Sequence, residues 1–216
     1  PGGKSWSGTQ PRGMAYWELL AATIDQEPVR ERDRLMMAML KPLGLEKGKP
    51  FRPDARQTEI LTEAGVPKGS LYHHFPDGKA DLACAAADWT ASEIIRVIDD
   101  SFRGAADWRQ GVTTFCYKMA KLFDILNSAD ACPIFGLLFE GPDHDRFRAQ
   151  AEQSFDRIIA AAAHYGQALG MTPDAANDAA ETFIIGFQGS WTLARTRRKS
   201  DVLRNLPTRL YGQTRN

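Results

Sequence analysis

The chain has 216 residues, 27 basic against 27 acidic side chains, and no formal net charge. That length allows one large domain or a small one joined to a mid-sized one, and 43% apolar with 25% charged residues suffices for a buried core and excludes a largely disordered chain. No run approaches the ~18 apolar residues of a membrane span, Pro1-Gly2-Gly3-Lys4-Ser5 is no signal peptide, and balanced charge gives no global attraction for nucleic acid.

Residues 1–56 form an irregular segment punctuated by Gly2, Gly3, Gly8, Pro11, Gly13, Pro28, Pro42, Gly44, Gly48, Pro50 and Pro53. Two helical stretches fit between the breaks. One runs from Met14 to Ile24, and the other from Val29 to Leu40 with Leu35, Met36, Met39 and Leu40 on one apolar face. Lys47 to Pro53 is expected to be an extended connector. From Thr58 onward the periodicity is helical throughout, which predicts an all-α fold with helices near residues 58–64, 68–75, 78–103, 108–127, 132–140, 144–169, 173–197 and 200–211. Capping residues are expected at Asp77, Thr172 and Ser200, and glycine stops at Gly104, Gly141 and Gly170.

The stretch from Thr58 to Leu82 carries the functional argument. A short helix ends at Ala64, small enough for a close approach, and Gly65 can take φ > 0 at a tight turn. Val66 and Leu71 can plug the angle between two helices, and Pro67 pre-sets φ for the second one, as a helix-turn-helix requires. Lys68, Ser70, Tyr72 and His73 then offer a cation, a hydroxyl, a phenol and an imidazole to phosphates or base edges. Gly69 lets the backbone approach the sugar-phosphate chain. Lys79 adds charge to the next helix start, and Thr58 opens the first helix of the pair. These seven residues, Thr58, Lys68, Gly69, Ser70, Tyr72, His73 and Lys79, are the candidate DNA contacts. The adjacent His73-His74 pair does not have metal-ligand spacing.

Ala64 to Leu82, with Leu71-Tyr72-His73-His74-Phe75 followed by Pro76-Asp77-Gly78-Lys79-Ala80-Asp81-Leu82, resembles the end of the DNA-binding domain of TetR-family transcription regulators. Ala131-Cys132-Pro133 and Leu193-Ala194-Arg195-Thr196-Arg197 are similar to the LmrA/YxaF-like subgroup, so the resemblance spans roughly residues 58–212. It implies a helix-turn-helix head at 57–82 and a ligand-binding and dimerisation domain at 83–216. It also implies a homodimer on a double-stranded operator, repression released by a small apolar or aromatic effector, and a four-helix dimer interface built from 173–197 and 200–211. Upstream, Pro11 to Trp17 and Arg32 to Phe51 resemble a piece of bacterial proteins that carry a tandem pair of domains of unknown function. This suggests a fusion in which Arg30–Leu45 supplies a substitute first helix. The alternative is a ligand-binding, dimerising α-protein whose DNA head is crippled by that fusion.

Phe115, Met119, Phe123, Phe135, Phe139, Phe187 and Trp191, spread over several helices, can line an apolar pocket or simply fill a core. The resemblance favours the pocket, with Tyr117, Gln188 or His164 to orient a ligand. Cys84, Cys116 and Cys132 are odd in number and widely spaced, which argues against disulfides and for a reducing, cytoplasmic setting. Cys132 is expected to be structural, and Glu140, Asp143, His144 and Asp145 to serve a helix start. The run Arg195, Arg197, Arg198 and Lys199 reads as a solvated helix end. No nucleophile-base-orienter triad, phosphate loop or metal-ligand spacing is visible, so neither catalysis nor a cofactor is expected.

Overall fold

The computed structural model describes residues 31–40, 57–125 and 144–212, and every regular element among them is helical. They are α1 (Glu31–Leu40), α2 (Gln57–Ala64), α3 (Lys68–His74), α4 (Lys79–Phe102), α5 (Trp108–Ile125), α6 (His144–Ala168), α7 (Pro173–Arg197), α8 (Asp201–Arg204) and α9 (Leu206–Tyr211). The expected helices at 14–24 and 132–140, the connector at 47–53, Cys132, Phe135, Phe139, Glu140, Gly141 and Asp143 lie outside the described residues.

Two apolar clusters organise the molecule. The smaller joins Leu35, Met36 and Ala38 of α1 to Ile60, Leu61 and Ala64 of α2, Leu71 of α3, Phe75, and Leu82 and Ala86 of α4. Each fully buried leucine or isoleucine here contributes about 1.5–3 kcal/mol. Leu82 and Ala86 complete this cluster, so α4 begins inside the helix-turn-helix core. The larger cluster runs along the rest of α4 on Ala87, Ala91, Ile94, Ile98 and Phe102, whose spacing of three and four keeps them on one face. It is closed by α5, α6, α7, α8 and α9. At its centre the fully buried Phe183 meets the ring of Phe115 edge-on, with centroids 5.1 Å apart. Where α5 crosses the end of α4, Gly111 is buried and a Cβ there would overlap the Phe102 ring. Neither Cys84 nor Cys116 is in a disulfide, and burial pushes the Cys116 thiol up to about 12.

Helix ends follow local chemistry, with three departures from the sequence expectations. Thr172 caps α7, its hydroxyl accepting from the Ala175 N–H at 3.3 Å, with Pro173 in the first turn. Gly104 and Gly170 sit at φ +80° and +93°, as stops require. Asp77, however, does not cap α4. Its N–H donates to Asp81 Oδ2 at 2.7 Å, and Gly78 holds the N-cap position at φ +65°. Ser200 makes no side-chain cap bond, and Asp201 Oδ1 instead accepts from the Val202 N–H at 3.0 Å. The single helix expected at 200–211 is broken at Asn205 into α8 and α9, because Pro207 lacks the N–H that a continuous helix would direct at Leu203.

Candidate nucleic-acid interface and effector core

α2 stops where glycine lets it. Gly65 adopts φ +63°, its N–H donates to the Thr62 carbonyl, and the Val66 N–H donates to the Leu61 carbonyl, both at 3.1 Å. This is a Schellman closure: it satisfies two carbonyls the helix end would otherwise orphan, and it reverses the chain within two residues. Pro67 follows at the N-cap of α3, with φ −63° and ψ 153°, and its carbonyl accepts from the Ser70 N–H at 3.0 Å. Leu71 and Phe75, four apart, then anchor the inner face of α3 in the smaller core.

With that face fixed, the opposite one is turned outward. Lys68, Gly69, Tyr72 and His73 are exposed, as is Thr58 on α2, whereas Ser70 and Lys79 are half-buried. Apart from its own stretch of helix backbone, nothing lies within 4 Å of where a Gly69 side chain would begin, so a phosphate backbone can approach closely there. Tyr72 is 53% exposed, and its ring edge sits 3.2 Å from where a Cβ on Gly78 would stand. The tyrosine is thereby seated on the start of α4. The rings of His73 and His74 meet edge-on with centroids 4.8 Å apart. Among the described residues no group of three His, Cys, Asp or Glu side chains could hold a metal ion.

α1 lies against the inner side of this unit. Leu35 and Met36 are at most 2% exposed within the helix-turn-helix core, and the Arg32 guanidinium sits over the Phe75 ring at 5.6 Å. Arg34 reaches the turn, its Nη1 4.0 Å from where a Gly65 side chain would begin. Neither arginine was singled out in the sequence, since a charge on a short helix gives no local hint of the turn it reaches.

The described members of the aromatic set form a seam between two helices. Phe115, Met119 and Phe123 occupy successive turns of α5, and Phe187 and Trp191 successive turns of α7. The first four are at most 4% exposed, and Trp191 is half-buried. Phe115 meets Phe187 at 5.0 Å and Phe123 meets Trp191 at 5.6 Å, both close to perpendicular. That is the arrangement favoured by ring quadrupoles. Of the expected orienting groups, Gln188 is half-buried, but Tyr117 and His164 are exposed. Tyr117 carries the Arg204 guanidinium over its ring, and His164 lies edge-on to Tyr165. They do not face the seam. Arg197, Arg198 and Lys199 are solvated as expected, but Arg195 is only half-exposed and its Nε is buried.

Two arginines on α6 tie this larger core to α4. Arg146 bonds Asp77, just before α4, and Asp81 in its first turn, and Arg157 bonds Asp88 and Ser92 two and three turns later. The Asp77 N–H, and then Arg146, hold the Asp81 carboxyl below the usual range. Spacing within one helix could not reveal these ties, because their partners lie more than sixty residues away.

Residues 109–208 match the family of LmrA/YxaF-like transcriptional regulators, C-terminal domain. The chain is 31% identical over 150 residues to the HTH-type transcriptional regulator Rv0196 of Mycobacterium tuberculosis, covering 65% of this chain and 74% of that protein. It is 39% identical over 80 residues to the HTH-type transcriptional regulator YxaF of Bacillus subtilis, covering 37% of this chain and 41% of the relative. Among solved structures, the regulatory protein TetR from Rhodobacter sphaeroides superposes with a TM-score of 0.64 at 28% identity, over 83% of this chain and 95% of that one. A likeness over that share of the chain extends upstream of α2. Among the described residues no helix is long and apolar enough to cross a membrane.

Proposed function

The chain belongs to the TetR family of helix-turn-helix transcription regulators, and from that premise we propose that it is a repressor that binds a palindromic operator as a homodimer. α3 enters the major groove. Lys68 and Lys79 contact phosphates, Gly69 admits the sugar-phosphate chain, and Tyr72 and His73 reach base edges. Thr58 and Ser70 supply hydroxyls beside the same strand. The observation that carries this reading is the orientation of α3: Leu71 and Phe75 are inward, while Lys68, Tyr72 and His73 are outward. α1 serves as the first helix of the head, because a three-helix module needs an apolar cover behind the recognition helix and Leu35 and Met36 supply it.

Dimerisation uses α7. Ile185 is 66% exposed and Leu193 is 44% exposed, with Gly189 between them at a spacing of four, so one turn-by-turn stripe is apolar, close-fitting and uncovered in the single chain. A small effector with an apolar body enters beside the α5–α7 seam of Phe115, Met119, Phe123, Phe187 and Trp191. It favours a tilt of α4 that separates the two heads, which is a population shift away from the DNA-fitting geometry.

The test is binding to the operator and to random duplex by fluorescence anisotropy across a salt series. Lys79→Ala weakens both equally and lowers the salt slope by about one. Tyr72→Ala and His73→Ala each lose about 1–3 kcal/mol on the operator and much less on random DNA. Equal losses on both duplexes for all three variants would refute this division of roles.

A further inference from the structure

Buried donors in this chain ordinarily find acceptors. The Trp108 indole N–H donates to the Tyr211 hydroxyl at 2.8 Å, and the buried Thr90 hydroxyl donates to the Ala86 carbonyl at 2.8 Å. Two donors on α7 depart from that pattern. Trp191 Nε1 and Arg195 Nε are both buried and neither has a hydrogen-bond partner. They are four residues apart, so they stand one turn above the other on the same face of α7. Trp191 also belongs to the aromatic seam, its ring edge-on to Phe123 and tilted against Phe187 at 5.9 Å. An unsatisfied buried donor is costly, and two of them adjoining a wall of rings is the arrangement a ligand oxygen would complete.

We propose that Trp191 and Arg195 form the polar end of the effector site and select an organic anion, a flat apolar body bearing a carboxylate. This rests on the reading of the α5–α7 seam as the effector region and names the ligand class. The carboxylate accepts from the indole N–H and from the guanidinium, and its body lies along Phe187 and Phe123. A bound water could accept from the indole but would leave the arginine charge unmatched; a carboxylate answers both. The guanidinium is suited to the task because its planar donors match a carboxylate's two oxygens.

The probes are three naphthalenes of one shape and different charge: 1-naphthoate, 1-naphthamide and 1-naphthylmethylammonium, titrated calorimetrically into the full chain without DNA. The naphthoate binds about 10-fold or more tighter than the amide, and the ammonium binds weakest. Arg195→Gln removes the preference for naphthoate over the amide. Trp191→Phe keeps the ring and weakens both by about 10-fold, while its melting temperature stays level or rises because an orphaned donor is gone. Equal affinities for naphthoate and ammonium, no binding by any of the three, or an Arg195→Gln variant with its preference intact would each overturn the proposal. Because the titration omits DNA, the outcomes separate. Operator binding without charge preference removes the anion site and leaves the regulator; charge preference without operator binding does the reverse.

Discussion

Among the described residues, Glu93 is the only charged side chain that is buried. It sits mid-way along α4 at 1% exposure, with Oε1 paired to Arg96 Nη1 at 2.9 Å and Oε2 without any partner. Burial holds its carboxyl above the ordinary glutamate range, and Arg96, itself 55% exposed, offsets this only in part. A folded-state value raised above the unfolded one means that folding favours the protonated acid. This group's contribution to stability is therefore most favourable below the unfolded value and is lost as the pH climbs through the folded one. Glu93→Gln is expected to stabilise the protein at pH 7 by about 1–2 kcal/mol, which for a chain of this size raises the melting temperature by roughly 2–8 °C. The gain should shrink toward nothing near pH 4, where the native residue is already neutral. Melting curves at the two pH values check this, and an equal gain at both would assign the effect to packing instead.

The bend between α2 and α3 is where sequence and structure agree most closely. Gly65 has room around it, its nearest non-local atom being Arg34 Nη1 at 4.0 Å from a hypothetical Cβ. The penalty for a side chain is thus backbone strain alone. Gly65→Ala should cost about 1 kcal/mol, read as a lower urea midpoint with an unchanged m-value. This element was legible because a glycine, a proline and two anchors at Leu71 and Phe75 act within a dozen residues, and their chemistry is local. The long helices were equally legible from apolar spacing. What the sequence concealed depends on neighbours brought from afar. Arg195 read as solvated because its helix end is basic, and only packing buries its Nε. Asp77 read as a cap, but Asp81, one turn on, accepts from its backbone. The break at Asn205 was signalled by Pro207 and overlooked because the apolar spacing of Leu203, Leu206 and Leu210 runs straight through it. Leu35 and Met36 were expected to cover the head, and their place in its core disfavours the reading in which the amino-terminal segment cripples it.

For the whole molecule, the proposed reading turns on how α6 is tied to the start of α4, where Arg146 bonds Asp77 and Asp81. Arg146 is 40% exposed, so its pairs contribute at most about 1 kcal/mol to stability. On the proposed regulatory reading, their place beside the start of α4 and the seat of Tyr72 couples them to DNA geometry instead. Arg146→Ala is expected to leave the melting temperature nearly unchanged while shifting operator affinity by about 2–30-fold, a coupling change of ~0.5–2 kcal/mol. Anisotropy and calorimetry on the same preparation check both halves. At the opposite end of α4, communication has no such slack. The crossing with α5 is so tight that Gly111 and Phe102 exclude any third object. Position 111 can gain a methyl only if the ring at position 102 gives way, so the two sites must drift together or not at all.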